Sequence, residues 1–266
     1  AEVPIPRGHD AAHDAWLDRL GVRTLQDLFR DRGGLPRAWH QPLKALAASR
    51  GIAFLSTPFS IDDARFLVED IHVPALKIAS GDITFIPLLQ YAALTGLPLL
   101  LSTGASTYKE IMDALIVINT ARGCHTYAHL ADVIVLHCRA LYPCPDELAS
   151  LAVIKELRDE WNVGAVGWSD HTLDSTLIPA LAVSQGCTVI EKHFKLAGDV
   201  SSVDAEHSLT PEQFATMVQT VRRVPTILGD RTKQPVGREC HERLWCRRDP
   251  RDWLRPTQAA REGAWE

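Results

Sequence analysis

The sequence has no apolar run long enough to cross a membrane. A membrane-spanning helix needs about 20 consecutive apolar residues, and no stretch of the 266 residues reaches that length. The first residues, "AEVPIPRGHD", also lack the basic and then apolar pattern of a secretory signal. We therefore expect a cytoplasmic protein with no membrane partner.

Cysteine is scarce and follows no metal or disulfide pattern. The six cysteines are Cys124, Cys138, Cys144, Cys187, Cys240 and Cys246. None of them forms a CxxC pair, so the spacing argues against a zinc cage and against a disulfide framework. This usage fits a reducing compartment and agrees with the expectation of a cytoplasmic location.

The chain also lacks an excess of positive charge. Its formal net charge is -5, whereas a protein that binds nucleic acid needs a basic face for the phosphates. The stretch "RECHERLWCRRDPRDWLR" at 238–255 is rich in arginine, but its arginines alternate with Glu and Asp. That alternation favours a solvated or docking segment over RNA binding, and we expect no nucleic-acid partner.

A repeated pattern of apolar strand and amphipathic helix begins near residue 40. With 266 residues, of which 46% are hydrophobic, the chain is long enough for one large α/β domain. Strands are predicted at 52–59, 73–82, 97–106, 132–143, 164–172 and 187–194. Each strand is apolar throughout its body and a helix follows it, so the pattern predicts a parallel sheet with helices outside. Thr210 and Pro211 are predicted to begin the last of these helices.

Every predicted strand ends in small polar or ionisable residues. A (β/α)8 barrel places its active site at that rim, whereas an open doubly wound sheet concentrates polar residues at one switch point. No glycine-rich phosphate loop follows a first strand. The sequence therefore predicts an α/β protein with a (β/α)8 TIM-type barrel, with six clear βα units and an incomplete or irregular N-terminus.

The predicted organisation has three parts. Residues 1–39 are expected to be an irregular or helical segment, in which "GVRTL" at 21–25 is the best strand candidate. Residues 40–229 hold the strands and helices of the barrel. Residues 230–266 form a linker or tail.

The predicted rim collects residues with the chemistry of a metal and phosphate site. It holds histidines His171 and His193, lysines Lys77 and Lys192, hydroxyl residues Ser56, Thr57, Ser80, Ser102, Thr103 and Ser169, the phenol of Tyr142, and acids Asp82, Asp170 and Glu191. Histidines at adjacent strand ends lie close enough to share a divalent metal. Lysine, hydroxyl groups and backbone amides bind phosphate. Together they indicate a phosphorylated substrate and a metal that polarises a carbonyl.

Simpler roles compete with each of these assignments. A single histidine is more often a packing residue than a ligand, and serine or threonine at a strand end is often a helix N-cap. Thr57 precedes Pro58 and is compatible with a plain turn. His137 and Cys138 fit a buried core, and His207 fits a solvated loop.

Several stretches, read together in their order, resemble one known family. They are "FLSTPFS", "VPALKIASGDITFIPLLQYAALTGLPLLLSTGAS", "VIVLHCRALYPCP", "VGWSDHT", "VIEKHF" and "DAEHSLTPEQF". Between about residues 40 and 230 the chain resembles the sialic acid synthase (N-acetylneuraminate or nonulosonate synthase) family, which includes legionaminate, pseudaminate and spore-coat polysaccharide synthases.

The resemblance implies a (β/α)8 barrel transferase of sialic acid or carbohydrate biosynthesis. Such an enzyme condenses phosphoenolpyruvate with an N-acyl hexose such as N-acetylmannosamine, forms a nine-carbon 2-keto sugar acid and releases phosphate. It implies a homodimer that uses a divalent metal, Mn²⁺ or alternatively Mg²⁺, held by His171 and His193. By resemblance, Lys77, His171 and His193 are catalytic. The implied substrate-binding residues are Thr57, Lys77, Ser80, Ser102 and Ser169 for phosphoenolpyruvate, and Tyr142 and Asp204 for the sugar.

The chain departs from the family pattern at several places. Motifs like "AEIG-NHNG", with a catalytic glutamate, and "KFQ", with a phosphate-binding lysine, are not found in it. In "HCRALYP", Leu141 stands where the family carries a polar residue. This change implies a lost substrate hydrogen bond, for which Arg139 could compensate by binding an anion. Two alternatives therefore stay open, namely a degenerate barrel that binds metal or anion without turnover, and a Schiff-base aldolase that uses Lys77.

Overall fold

The computed structural model describes residues 4–5, 7, 11–24, 27, 34–123, 130–200, 202–230 and 232–263. Cys124 and Leu25, which entered the predictions above, lie outside these residues. The chain divides into two compact units, Ala1–Ile227 and Leu228–Glu266. The predicted boundary near residue 40 stays a prediction.

Five parallel strands form the sheet of the first unit. In chain order they are β1 Leu76–Ile78, β2 Leu99–Ser102, β3 Leu130–Cys138, β4 Val163–Asp170 and β5 Val189–Lys192. The strands lie side by side in the order β1-β2-β3-β4-β5, and every neighbouring pair is parallel. The prediction of a parallel α/β sheet is therefore confirmed.

One of the six predicted strands, over 52–59, is not formed. Residues 52–58 carry no strand hydrogen bonds, and on its outer side β1 has no partner among the described residues. A strand needs a neighbour for its backbone groups, so the apolar pattern alone was not sufficient here. Instead, Phe54 packs on the core, and the Ser56 hydroxyl lies 3.2 Å from His40 Nε2.

The helices described in the first unit are α1 Ala11–Leu20, α2 Arg37–Ser49, α3 Ile61–Glu69, α4 Ile86–Leu94, α5 Tyr108–Ala121, α6 Ala152–Glu160, α7 Leu177–Ser184 and α8 Pro211–Leu228. Those of the second unit are α9 Glu239–Cys246 and α10 Gln258–Arg261. Helices α3 to α7 bury their apolar faces in the core of the sheet. Helix starts follow the capping rules: Ser60 caps α3, Thr107 and Glu110 form a capping box on α5, and Thr210 caps α8. None of the helices in the described residues is long and apolar enough for a membrane span.

Successive side chains of each strand point alternately to the helices and to the opposite face of the sheet, and those on the opposite face form the site. In β1, Leu76 and Ile78 are fully buried against the helices, and the side chain of Lys77 between them projects to the opposite face with 12% of its area exposed. In β4, Trp168 is fully buried in the same core and Ser169 projects to the Lys77 side. The five cysteines within the described residues are all free.

The sheet curls until its two outer strands face each other. Lys77 Nζ on β1 lies 3.2 Å from Glu191 Oε2 on β5, although three strands separate β1 from β5 in the sheet. This side-chain contact spans the interior, although among the described residues no backbone hydrogen bonds pair β1 with β5. The result is an incomplete barrel, with its carboxyl-terminal strand ends around one hollow.

Candidate functional site

A cavity of about 530 Å³ opens at the carboxyl-terminal ends of the strands. The predicted site residues that line it are Lys77, Ser80, Ser102, Tyr142, Ser169, His171 and His193. Glu191 joins them in the wall. Two predicted residues, Thr57 and Asp204, are not part of this lining. The fold thus brings most of the predicted residues together, from all five strand ends.

Glu191 connects the two sides of the cavity. One carboxylate oxygen accepts a hydrogen bond of 2.7 Å from the Ser169 hydroxyl, and the other forms the ion pair with Lys77. Ser169 and Glu191 are register partners on β4 and β5, which explains their contact. These two contacts hold the Lys77 ammonium in a fixed position at the cavity wall.

Two serines beside Lys77 differ in their partners. Ser80 Oγ accepts a 2.9 Å hydrogen bond from the Gly104 amide and lies 3.2 Å from Cys138 Sγ. Ser102 is only 2% exposed, and its hydroxyl has no hydrogen-bond partner in the structure. A buried hydroxyl without a protein partner is rare, so Ser102 is a candidate hydrogen-bond donor to a ligand of this cavity.

The loop after β2 brings the amino-terminal end of α5 to the cavity. Gly104, Ala105 and Ser106 line the wall, and Ala105 adopts a left-handed φ of 58° that non-glycine residues seldom use. At Gly104 a Cβ would lie 2.9 Å from both Cys138 Sγ and Ser80 Oγ, so only glycine fits there without displacement. The start of a helix carries partial positive charge and favours an anion.

His171 is held firmly at its position after β4. Its Nδ1 lies 2.6 Å from the carbonyl oxygen of Arg139, and its own carbonyl accepts a 2.8 Å hydrogen bond from the Cys144 amide. Nδ1 therefore carries the proton, and Nε2 keeps its lone pair, 3.5 Å from Ser169 Oγ. The ring of His193 lies 5.5 Å from that of His171, centroid to centroid. The expectation that histidines of adjacent strands meet is confirmed.

A second group of metal-ligating atoms surrounds His193. The ligand atoms of His193, Asp204 and His207 all lie within 4.8 Å of one another. A short parallel bridge between Phe194 and Leu209 produces this cluster, because the Leu209 amide donates to the His193 carbonyl at 2.9 Å. The bridge fixes the loop that carries Asp204 and His207 beside the strand end.

His207 is the residue that sequence reasoning missed. The expectation of a solvated histidine is wrong, since His207 is only 3% exposed. Its Nε2 has no hydrogen-bond partner and lies 3.7 Å from Asp204 Oδ1, which is too far for a hydrogen bond. The spacing of Asp204 and His207, three residues apart just before a strand-like "SL", was the available signal.

Burial keeps these imidazoles in the form that a metal requires. Desolvation is the main cause that lowers the pKa of His171, and desolvation followed by the charges of His193 and His171 lowers the pKa of His207 to about 3. Both rings are therefore neutral at pH 7 and have a lone pair to donate.

Tyr142 lies over the histidines. Its ring centroid is 4.1 Å from that of His171 and 5.3 Å from that of His207. Desolvation, with smaller contributions from the Cys138 thiol and nearby carboxylates, raises the pKa of Tyr142 to about 12. The phenol therefore stays protonated and offers a hydrogen-bond donor at the cavity wall.

Comparison with known proteins identifies the family of the chain. The model of the NeuB family matches residues 12–233. The chain belongs to the NeuB family. This match confirms the resemblance that the sequence motifs indicated.

Named relatives give the family context. An uncharacterized protein of Methanocaldococcus jannaschii is 43% identical over 197 residues, which cover 74% of this chain and 56% of that protein. The N,N'-diacetyllegionaminic acid synthase of Legionella pneumophila is 37% identical over 227 residues, covering 84% of this chain and 62% of the relative. The chain therefore spans somewhat more than half the length of these curated relatives.

A solved structure supports the same fold. The N-acetylneuraminic acid synthetase of Leptospira borgpetersenii, in complex with citrate, aligns with a TM-score of 0.70 at 32% identity. The alignment covers 79% of this chain and 70% of that one.

Three residues considered above, Arg139, Leu141 and Thr57, lie outside the cavity lining of this NeuB-family chain. Arg139 Nε donates to the Leu148 carbonyl at 2.9 Å, so this part of its guanidinium is already used by the protein. Leu141 is 42% exposed and Thr57 is half-buried, and neither lines the cavity. The anion-binding role considered for Arg139 stays a prediction.

Proposed function

We propose that this chain catalyses the condensation of phosphoenolpyruvate with an N-acyl hexose similar to N-acetylmannosamine. The products are a nine-carbon 2-keto sugar acid and inorganic phosphate. The observation that carries the proposal is the composition of one cavity, in which Lys77 and unpartnered Ser102 lie beside a cluster of histidines. The relatives named as nonulosonic acid synthases support the same class of reaction.

The anion side of the cavity suits phosphoenolpyruvate. Lys77 supplies the positive charge, the hydroxyls of Ser80 and Ser102 lie beside it, and the loop 104–106 before α5 completes this wall. Phosphate and carboxylate oxygens need this combination of charge and directed donors. Ser102 gains the hydrogen-bond partner that the protein alone does not give it.

The histidine side suits a divalent metal. The described residues fit such an ion, because His207 Nε2 is buried without a hydrogen bond and three donors lie within 4.8 Å. We propose His193 as the central ligand, with His171, Asp204 and His207 as the further donors around it. Imidazole and carboxylate ligands favour Mn²⁺ over Mg²⁺, which prefers oxygen ligands and water. A bound metal would supply a Lewis acid for the sugar aldehyde.

The residues then place the reacting atoms. Lys77 and the serines hold phosphoenolpyruvate with its C3 toward the aldehyde carbon of the open-chain sugar, and a carbon–carbon bond forms between them. The aldehyde oxygen takes up a proton, and water adds to the cationic C2 with loss of a proton. The tetrahedral carbon then expels phosphate and becomes the ketone. Lys77 stabilises the negative charge of the phosphate oxygens throughout.

The aldolase alternative fits the geometry less well. A Schiff base needs an amine with a free lone pair, whereas Lys77 is ion-paired with Glu191 at 3.2 Å. The alternative of a barrel that binds without turnover has the same cavity, and only an activity measurement separates it from the synthase.

The test is phosphate release by the purified chain with Mn²⁺, phosphoenolpyruvate and a panel of N-acyl hexoses. We expect release that depends on both the sugar and the metal, and that is lost in Lys77→Met. A full panel without phosphate release would contradict the synthase proposal, and Mn²⁺ binding without release would favour the non-catalytic alternative. Borohydride trapping of pyruvate on Lys77 would favour the aldolase.

A further inference from the structure

A fully buried ion pair lies directly beneath the two strand-end histidines. Lys192 Nζ is 3.0 Å from Asp170 Oδ2, and both side chains have 0% exposure. Asp170 is the last residue of β4 and Lys192 the last of β5, and they are register partners. Each therefore comes immediately before a histidine, His171 or His193.

The pair extends into the loop that follows His171. Asp170 Oδ1 accepts hydrogen bonds from the Thr172 amide at 2.8 Å and from its hydroxyl at 2.7 Å. Lys192 Nζ donates to the carbonyl of Thr172 at 2.5 Å and lies 3.4 Å from that of Asp174. The residues on both sides of His171 are thus bound to the residue that precedes His193.

Stability alone is a weak reason for such a pair. Two buried charges lose their hydration, and an apolar pair of the same volume is often as stable or more stable. The pair has a more specific effect on geometry. It links the residue before His171 to the residue before His193, and so fixes the two histidine backbones relative to each other. Asp170 Oδ2 has no hydrogen bond of good geometry, so its contact with Lys192 is chiefly electrostatic.

We propose that Asp170 and Lys192 are positioning residues that set the separation of His171 and His193 for binding a divalent cation. This inference rests on the metal site of the proposed function. Neither residue lines the cavity, so neither is placed to contact a ligand bound there. Their effect reaches the site only through the two histidine backbones.

The variant that tests this combines Asp170→Asn with Lys192→Met. The amide oxygen of Asn still accepts from Thr172, whereas the charges and the lysine bonds to the loop carbonyls are removed. By analogy with residues that orient metal ligands, we expect the Mn²⁺ dissociation constant to rise by about 10- to 100-fold. The measurement is isothermal titration, with circular dichroism to confirm that the variant is folded.

The matched control is a second ion pair far from the rim. Arg122 Nη1 and Asp132 Oδ1 are 2.5 Å apart near the starts of the strands. Arg122→Met with Asp132→Asn should leave the Mn²⁺ dissociation constant within about twofold, since it does not contact either histidine backbone. Equal losses in both double variants would assign the effect to general destabilisation and overturn the inference.

A second measurement works without metal. In NMR spectra of the metal-free protein, the ring signals of His171 and His193 should shift in the rim variant, and those of surface His72 should not. Thr172→Val, a milder change, should give the same shifts at smaller amplitude. Unchanged ring signals together with unchanged Mn²⁺ affinity would refute the positioning role. A parent chain that binds no Mn²⁺ would remove the metal from the proposed function, and the ring signals alone would then decide the inference.

Discussion

The two ends of the parallel sheet differ in how their buried polar groups are partnered. Near the starts of the strands, Arg122 donates to Asp132 at 2.5 Å and to the carbonyls of Leu97 and Ala93 at 3.2 and 3.4 Å. At the other end, Ser102 Oγ and His207 Nε2 are buried without any hydrogen bond. The protein itself satisfies the guanidinium of Arg122 at one end, whereas at the other end it offers no partner to these two atoms.

This difference has an energetic meaning. A buried donor or acceptor without a partner costs about 1–3 kcal/mol, and native proteins carry few of them. Of the unpartnered atoms at the rim, Ser102 Oγ belongs to the cavity wall and His207 Nε2 to the histidine cluster beside it. The comparison supports the proposal that ligand binds at the rim.

The largest effect is expected from removing metal donors. His193→Ala and His207→Ala should each weaken Mn²⁺ binding by more than about 100-fold, since even residues that only orient ligands contribute about 10- to 100-fold. Isothermal titration measures the loss. His72→Asn is the control, because His72 is exposed, lies outside the cluster and has a left-handed φ of 54° that Asn tolerates. Full affinity in His207→Ala would remove this residue from the ligand set.

The next effect concerns the cavity lysine. Lys77→Met should weaken binding of phosphoenolpyruvate by about 10- to 100-fold, because a hydrogen bond to a charged group contributes about 1.5–3 kcal/mol. Competition against a fluorescent anion measures the change. Lys155→Met removes an exposed lysine that is paired with Asp159 at 2.5 Å, and it should have no effect. Equal binding by the Lys77 variant and the parent would place the anion elsewhere.

Much of the sheet could be predicted from the sequence. Strands β1 to β5 are short apolar runs, each between a turn and a polar end. Each of the five overlaps one of the predicted ranges. The run at 52–59 has the same pattern and forms no strand. Ile52 and Phe59 in this run are 64% and 61% exposed, so its apolar pattern did not lead to burial throughout. A strand also requires a neighbouring strand, which only the tertiary structure supplies.

The residues of the candidate site that lie in or directly after strands could be predicted from the sequence. Lys77 lies within β1, and His171 and His193 directly follow β4 and β5. A parallel sheet brings the carboxyl ends of its strands to one edge, where these residues line one cavity. His207 lies in a loop, and its place depends on the bridge between Phe194 and Leu209. A single bridge of this kind has no periodicity, so the sequence gives no comparable signal for it.

A smaller effect is expected on stability at the cavity wall. Gly104→Ala should lower the free energy of unfolding by about 1–3 kcal/mol, the usual range for added volume in a packed site. The new Cβ would meet Cys138 Sγ and Ser80 Oγ at 2.9 Å and the Ala140 backbone at 3.3 Å. Urea denaturation measures the change. Gly81→Ala is the control in the same cavity, because nothing lies within 4 Å of its added Cβ.

The smallest expected effect, that of Ser102→Ala, tests the difference between the two ends of the sheet most directly. Ser102→Ala removes a hydroxyl that has no partner in the protein, so stability should stay the same or rise by up to about 1 kcal/mol. Affinity for phosphoenolpyruvate should fall by about 2- to 10-fold, the value of one neutral hydrogen bond. In Ser184→Ala, by contrast, the lost hydroxyl donates to the Leu181 carbonyl at 2.6 Å on an exposed helix, so ligand affinity should not change. If Ser102→Ala lowered stability and left affinity unchanged, Ser102 would be a structural residue, and the difference between the two ends of the sheet would lose its functional meaning.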